Sequence, residues 1–140
     1  MNILVDVNVF EDVFRHRQGW EASLTVINCV RNKQATGYVS ALTPAILYFF
    51  RRRTRGEKAA RQAVQSILRG FVVVPLTGKA VEMAYAASLP DFEDALQLEA
   101  AKAARTDTIV TRNKKHFRQK EVRVLNPEEL VEQVEPPQKP

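Results

Sequence analysis

Ile3-Leu4-Val5-Asp6-Val7-Asn8 opens the chain with an unbroken apolar run that ends on a carboxylate. A strand with one wet face alternates apolar and polar residues, whereas a continuous run suits a strand buried on both faces of a parallel sheet. Four further runs share this character, at residues 38–40, 71–74, 108–110 and 122–125. Segments of helical spacing separate them: Trp20, Leu24, Ile27 and Val30; Ala60, Val64, Ile67 and Leu68; Val81, Ala84 and Tyr85; Ala95, Leu98 and Ala101. A last helix is announced by Asn126 as N-cap, Pro127 at its first position, and Glu128 and Glu129 in its first turn. Strands alternating with helices predict an α/β domain, and right-handed crossovers put helices on both faces of a five-stranded parallel sheet, giving three α/β/α layers.

The 140 residues are 45% hydrophobic and 26% charged, the composition of one ordinary globular domain. We expect that domain to span residues 1–135, with the proline-rich 136–140 an unstructured tail. Cys29 is the sole cysteine, which excludes an internal disulfide and a thiolate zinc cluster. No apolar run reaches the roughly 18 residues that a membrane span needs, and Asp6 interrupts the one N-terminal stretch resembling a signal. A cytoplasmic protein without membrane association is the expectation.

In an open α/β sheet, ligands bind beyond the carboxyl ends of the strands. Asp6 ends the first strand there, and Thr111-Arg112-Asn113 ends the fourth. The helix leading into the fourth strand runs antiparallel to it, so Asp91-Phe92-Glu93-Asp94 at its start reaches the same edge. Ordinary capping accounts for part of this, since Asn8 with Glu11 and Asp91 with Asp94 both have capping-box spacing. Asp6 resists that account, because an acid at the end of a buried strand needs a partner or a metal to offset its desolvation. Paired carboxylates with amide neighbours suit a hard cation, Mg²⁺ or Mn²⁺. Neither a Gly-rich phosphate loop nor a zinc-like histidine spacing is present.

These segments, together with Val39-Ser40-Ala41-Leu42-Thr43 and Ile109-Val110-Thr111-Arg112-Asn113-Lys114-Lys115-His116-Phe117, resemble the PIN domain, the family of PilT N-terminus-like nucleases that includes the VapC-type toxins of VapBC toxin–antitoxin pairs. The likeness runs from Asn2 to about Leu125 and rests on four short motifs in the right order. It implies strand order 3-2-1-4-5, a Mg²⁺ or Mn²⁺ site made by acids, and endoribonuclease activity on RNA. It also implies dimerisation and, for a toxin, a cognate antitoxin. Carried over, Asp6 and Asp94 are the metal ligands and, with Asn113, the catalytic residues. Asn8, Thr43, Asp91, Thr111 and His116 support them. Two departures stand out. The family's second acid, three residues after the motif threonine, is Ile46 here, and an acid before the final phenylalanine is His116. Glu11 and Glu93 are the nearby acids able to substitute. The missing charge keeps a second reading open, a weakened PIN domain that binds nucleic acid or protein without cleaving.

The net charge of +5 is concentrated. Arg51, Arg52, Arg53, Arg55, Lys58, Arg61 and Arg69 face only Glu57, and a second cluster includes Arg112, Lys114 and Lys115. The first falls at the C-terminal end of a helix starting near Thr43, where cations complement the dipole. Four arginines within five residues exceed that need, so Arg51, Arg52, Arg53 and Arg55, with Arg112, Lys114 and Lys115, are expected to lie at the surface and guide RNA.

Overall fold

The computed structural model describes residues 1–117 and 122–134, so the expected tail at 136–140 lies outside the described residues. The order is β1 (Asn2–Val5), α1 (Val7–Arg15), α2 (Trp20–Arg31), β2 (Thr36–Ser40), α3 (Leu42–Arg55), α4 (Glu57–Gly70) and β3 (Val72–Val74). It continues with α5 (Gly78–Ala86), α6 (Phe92–Ala103), β4 (Thr108–Val110), a 3-10 turn at Lys114–His116, β5 (Arg123–Leu125) and α7 (Pro127–Gln133). All strands pair in parallel in the order β3-β2-β1-β4-β5. The five strands fall where the apolar runs predicted them, within two residues at each end.

The period of two along β1 divides the core. Ile3 and Val5 face α1, α2, α3, α4 and α7 with Val39 and Val110, while Leu4 faces α6 with Ile109 and Val74. All three β1 side chains are fully buried, each contributing on the order of 1.5–3 kcal/mol. This is the three-layer α/β/α arrangement. Gly37 is required by close approach, because a Cβ there would meet Val30 Cγ1 at 2.6 Å and the Phe71 ring at 2.7 Å. Asn126 caps α7 as expected: its side chain accepts from Glu129 N at 2.8 Å, and Glu129 Oε1 accepts from Asn126 N at 3.0 Å.

Two helical faces differ from the expectation. α4 buries Ala60, Ala63 and Ile67 and leaves Leu68 exposed, and α5 buries Ala84 while Val81 and Tyr85 face outward. Both helices pack through alanines, so the bulky residues that a hydrophobic stripe weights most heavily lie off the packed face. Among the described residues, no helix is long and apolar enough to cross a membrane.

Candidate metal and active site

Asp6 is 1% exposed at the junction of β1 and α1. Its backbone N–H donates to Val110 O at 3.0 Å, which pins it beside the end of β4. Its carboxylate is then held from three sides. Oδ1 accepts from Val7 N at 2.7 Å, and Oδ2 accepts from Thr111 Oγ1 at 2.7 Å and Asn8 Nδ2 at 3.2 Å. Asp6, not Asn8, is therefore the N-cap of α1, and the capping reading of Asn8 is corrected. Asn8 lies inside the first turn, where its amide spans two strand ends, accepting from Arg112 N at 3.1 Å through Oδ1. Thr111 Oγ1 in turn accepts from Asn113 N at 3.0 Å, so one hydroxyl links Asp6 to the β4 turn.

The second half of the site comes from α6. Asp91 caps that helix as expected, its Oδ1 accepting from Asp94 N at 3.0 Å. Asp94 is 4% exposed, and its Oδ2 lies 2.7 Å from His116 Nδ1. The 3-10 turn after β4 brings that imidazole round, so His116 is not the plain surface side chain that a lone histidine suggests. One ligand atom from each of Asp91, Asp94 and His116 fits within a 4.8 Å set. Asp6, Asn8, Glu11, Glu93, Asp94 and Asn113 line a single open cleft, and Ile46 and Phe50 of α3 form part of its wall. Thr43 is buried behind it, accepting from Gln97 Nε2 at 3.2 Å and so joining α3 to α6.

The electrostatics of this cleft call for a cation. Burial, helped by the negative charges of Asp94 and Glu93 and opposed by Thr111 and Val7 N–H, pushes Asp6 up from 3.8 to about 7. Burial also raises Asp94, against the lowering effect of His116, and Glu93 is raised by burial and by Asp91, Asp94 and Glu11. A cluster of acids each pushed toward its neutral form is stabilised when a divalent ion supplies the missing positive charge. Oxygen donors with one imidazole suit Mg²⁺ or, better, Mn²⁺. The residues present therefore fit such an ion.

The basic residues divide on inspection. Arg112 is consumed inside the protein: Nε donates to Asp12 Oδ2 at 2.7 Å, Nη1 to Glu128 Oε2 at 2.5 Å, and Nη2 to Gly19 O at 2.7 Å and Ser23 Oγ at 3.2 Å. These bonds commit most of the guanidinium to the protein, while Arg112 also lines the cleft. Lys114 pairs with Glu129 at 2.7 Å, whereas Lys115 is exposed. Arg52, Arg53 and Arg55 are exposed as expected. Arg51 is not, because it packs 4.7 Å over the Phe14 ring with its Nε buried. Asp12, buried between Arg17 and Arg112, carried no sequence signal beyond its charge.

Comparison with known proteins agrees with this architecture. The PIN domain sequence profile matches residues 2–115. No curated protein matches the chain by sequence. Among solved structures, FitAcB from Neisseria gonorrhoeae is 24% identical, with a TM-score of 0.68 over 89% of this chain and 97% of that one. VapBC2 from Rickettsia felis, bound to a DNA fragment from its promoter, is 17% identical with a TM-score of 0.66 over 90% and 98%. VapC20 of Mycobacterium tuberculosis, a Sarcin-Ricin loop cleaving toxin, is 14% identical with a TM-score of 0.59 over 76% and 86%. At these identities the structures speak for the fold, and the sequence profile, covering most of the chain, speaks for the family. The chain belongs to the PIN domain family.

Proposed function

We propose that this chain is a divalent-metal-dependent endoribonuclease acting in the cytoplasm as the toxin of a toxin–antitoxin pair. The observation that carries the activity is Asp6, a buried carboxylate raised to about 7 and sharing its cleft with Asp94, which His116 contacts through Nδ1. Asp6 and Asp94 would hold the cation, and Asp91 and His116 are donors grouped with Asp94 rather than with Asp6. When bound, Mg²⁺ or Mn²⁺ supplies Lewis acidity and a water that ionises near neutral pH. Thr111 and Asn8 keep the Asp6 carboxylate in one orientation, and Asn113 offers an amide to the phosphodiester from the same edge. The antitoxin rests on the VapBC2 and FitAcB assemblies among the structural neighbours. Exposed Val81 and Tyr85, one helical turn apart on α5, offer a face for a second copy of the chain.

Incubating the purified chain with single-stranded RNA in Mn²⁺, Mg²⁺ or chelator tests the activity, with Asp6→Asn as the control for contaminating nuclease. Cleavage that needs the cation and disappears in the variant supports it. Ile46, an aliphatic side chain where the family resemblance puts an acid, favours the second reading of binding without cleavage. RNA retained intact in every cation would establish that reading.

Ile46 also yields a direct test of the ligand set. Ile46→Glu adds an anionic oxygen to the cleft wall, so Mn²⁺ and Mg²⁺ affinity should rise by roughly tenfold, since charge count tunes such sites. Calorimetry reads this without turnover, and an unchanged dissociation constant would remove Ile46 from the neighbourhood of the ion.

Replacing Arg52, Arg53 and Arg55 by Ala should flatten the slope of log affinity against log salt by roughly 0.7 for each single-strand phosphate that these side chains neutralise. Arg51 is left intact because its packing on Phe14 would confound the result. An unchanged slope would assign these exposed arginines to a protein interface.

A further inference from the structure

The cleft is lined by unlike groups. Asp6, Glu11, Glu93 and Asp94 bring negative charge to it, Ile46 and Phe50 of α3 an apolar surface, and Arg15 and Arg17, from α1 and its following turn, positive charge. Ile46 and Phe50 are one helical turn apart and so share a face. Phe50 is 39% exposed, and the Arg15 guanidinium stands 5.5 Å from its ring centroid. Arg17 is committed inward, to Asp12 Oδ1 at 3.1 Å, Glu11 Oε2 at 3.5 Å and the Asn8 carbonyl at 3.1 Å. Arg15 has no carboxylate partner among the described residues and is exposed. Its charge is therefore available to an anion in the cleft.

We propose that Ile46, Phe50 and Arg15 together seat one unpaired nucleotide of the RNA strand, Phe50 and Ile46 taking the face of its base and Arg15 its phosphate. The proposal rests on the nuclease reading above and specifies the substrate as single-stranded at this point. Stacking on an aromatic ring needs an exposed base face, which a duplex hides, and it tolerates any base because every base has a π face. Arginine over an aromatic ring is a pairing that adapts to a base sliding between or beside the two. An acidic peptide is the competing occupant, but the carboxylates that line the same cleft would repel it along its length. A nucleotide chain places its anionic groups at intervals, one near the cation site and the next near Arg15. On this account Ile46 has a use of its own: the position gives up a charge and extends the apolar floor beneath Phe50.

The test is fluorescence anisotropy of a short labelled single-stranded RNA, and of its duplex, with the full chain in Ca²⁺, a hard cation that neutralises the carboxylates. Phe50→Ala should weaken single-strand binding by at least about fivefold, and Phe50→Trp should restore it. Arg15→Gln should reduce the salt slope by about 0.7. Duplex binding, weaker from the start, should not respond to Phe50→Ala. All three variants should keep the native melting temperature and sedimentation coefficient. Unchanged single-strand affinity in both Phe50→Ala and Arg15→Gln overturns the proposal. So does a Phe50→Ala variant that alters self-association while leaving RNA affinity intact, which makes the wall a protein interface. Because binding is read without turnover, a chain unable to cleave still tests the seat. Cation-dependent cleavage with Phe50 indifferent would remove the seat and leave the nuclease reading standing.

Discussion

In chelator at pH 8, Asp6→Asn should melt roughly 5–15 °C above the native chain while losing all cation-dependent cleavage. The two effects have one origin. Asp6 sits in its ordinary range when unfolded and at about 7 when folded, mainly through burial. A group whose folded value is raised favours the fold below the unfolded value and loses that contribution as pH climbs through the folded one. The metal-free chain should accordingly lose stability between pH 4 and pH 7 and level off above. A shift of this size corresponds to at most about 4 kcal/mol, and Asn should recover about half or more of it, because its oxygen still accepts from Val7 N–H or Thr111. Asp94 and Glu93 are raised in the same direction, so some pH dependence should persist in the variant. Saturating Mn²⁺ should stabilise the native chain and leave Asp6→Asn nearly unmoved, as binding to the folded state alone requires. A variant that melts below the native chain at pH 8 would mean that Asp6 serves chiefly as a helix cap, and the metal reading would lose its main support.

Much of this architecture is written locally in the chain. The continuous apolar runs locate all five strands because a strand covered on both faces leaves no room for polar alternation. The cap at Asp91 places the start of α6, and the crossover rule then carries Asp94 to the edge where β1 ends. What escaped local reading depends on partners distant in sequence. Asn8 has the spacing of a cap, but the strand pairing that sets Asp6 N–H against Val110 O moves the helix start two residues earlier. His116 is featureless until the turn after β4 folds it onto Asp94. Basic clusters mislead in a related way, since charge is visible in sequence and its partner is not: Arg112 and Arg51 belong to the same runs as exposed Lys115 and Arg53, yet are half-buried against partners of their own, Arg112 on Asp12 and Arg51 on the Phe14 ring. The helical stripes of α4 and α5 mislead for a packing reason, the tight alanine faces leaving Leu68 and Tyr85 to the outside.

Arg112→Ala should cost about 3 kcal/mol and lower the melting temperature by roughly 10 °C, more than any other single change outside the apolar core. The guanidinium joins α1, α2 and α7 to the end of β4 through Asp12, Gly19, Ser23 and Glu128. Asp12 is 3% exposed, so removing Arg112 leaves a buried carboxylate with Arg17 and Ser23 alone, and strips the Gly19 carbonyl of a donor. Gly19 itself is fitted to this contact: its φ of 88° is costly for other residues, and a Cβ would lie 2.6 Å from Arg112 Nη2. Lysine cannot substitute, having one nitrogen where the site uses three, so Arg112→Lys should lose most of the same stability. The Glu128 arm is half exposed, and Glu128→Ala should cost less than about 1 kcal/mol. Adding Asp12→Asn to Arg112→Ala should recover part of the loss by removing the stranded charge. The effect on function follows from Asn8, whose side chain is held by the Arg112 backbone N–H and reaches Asp6. A slackened turn at Arg112 should therefore weaken Mn²⁺ binding although the residue touches no ion. If Arg112→Ala melts like the native chain and instead weakens RNA binding alone, the guanidinium serves the substrate, and the structural role argued from its four bonds is wrong.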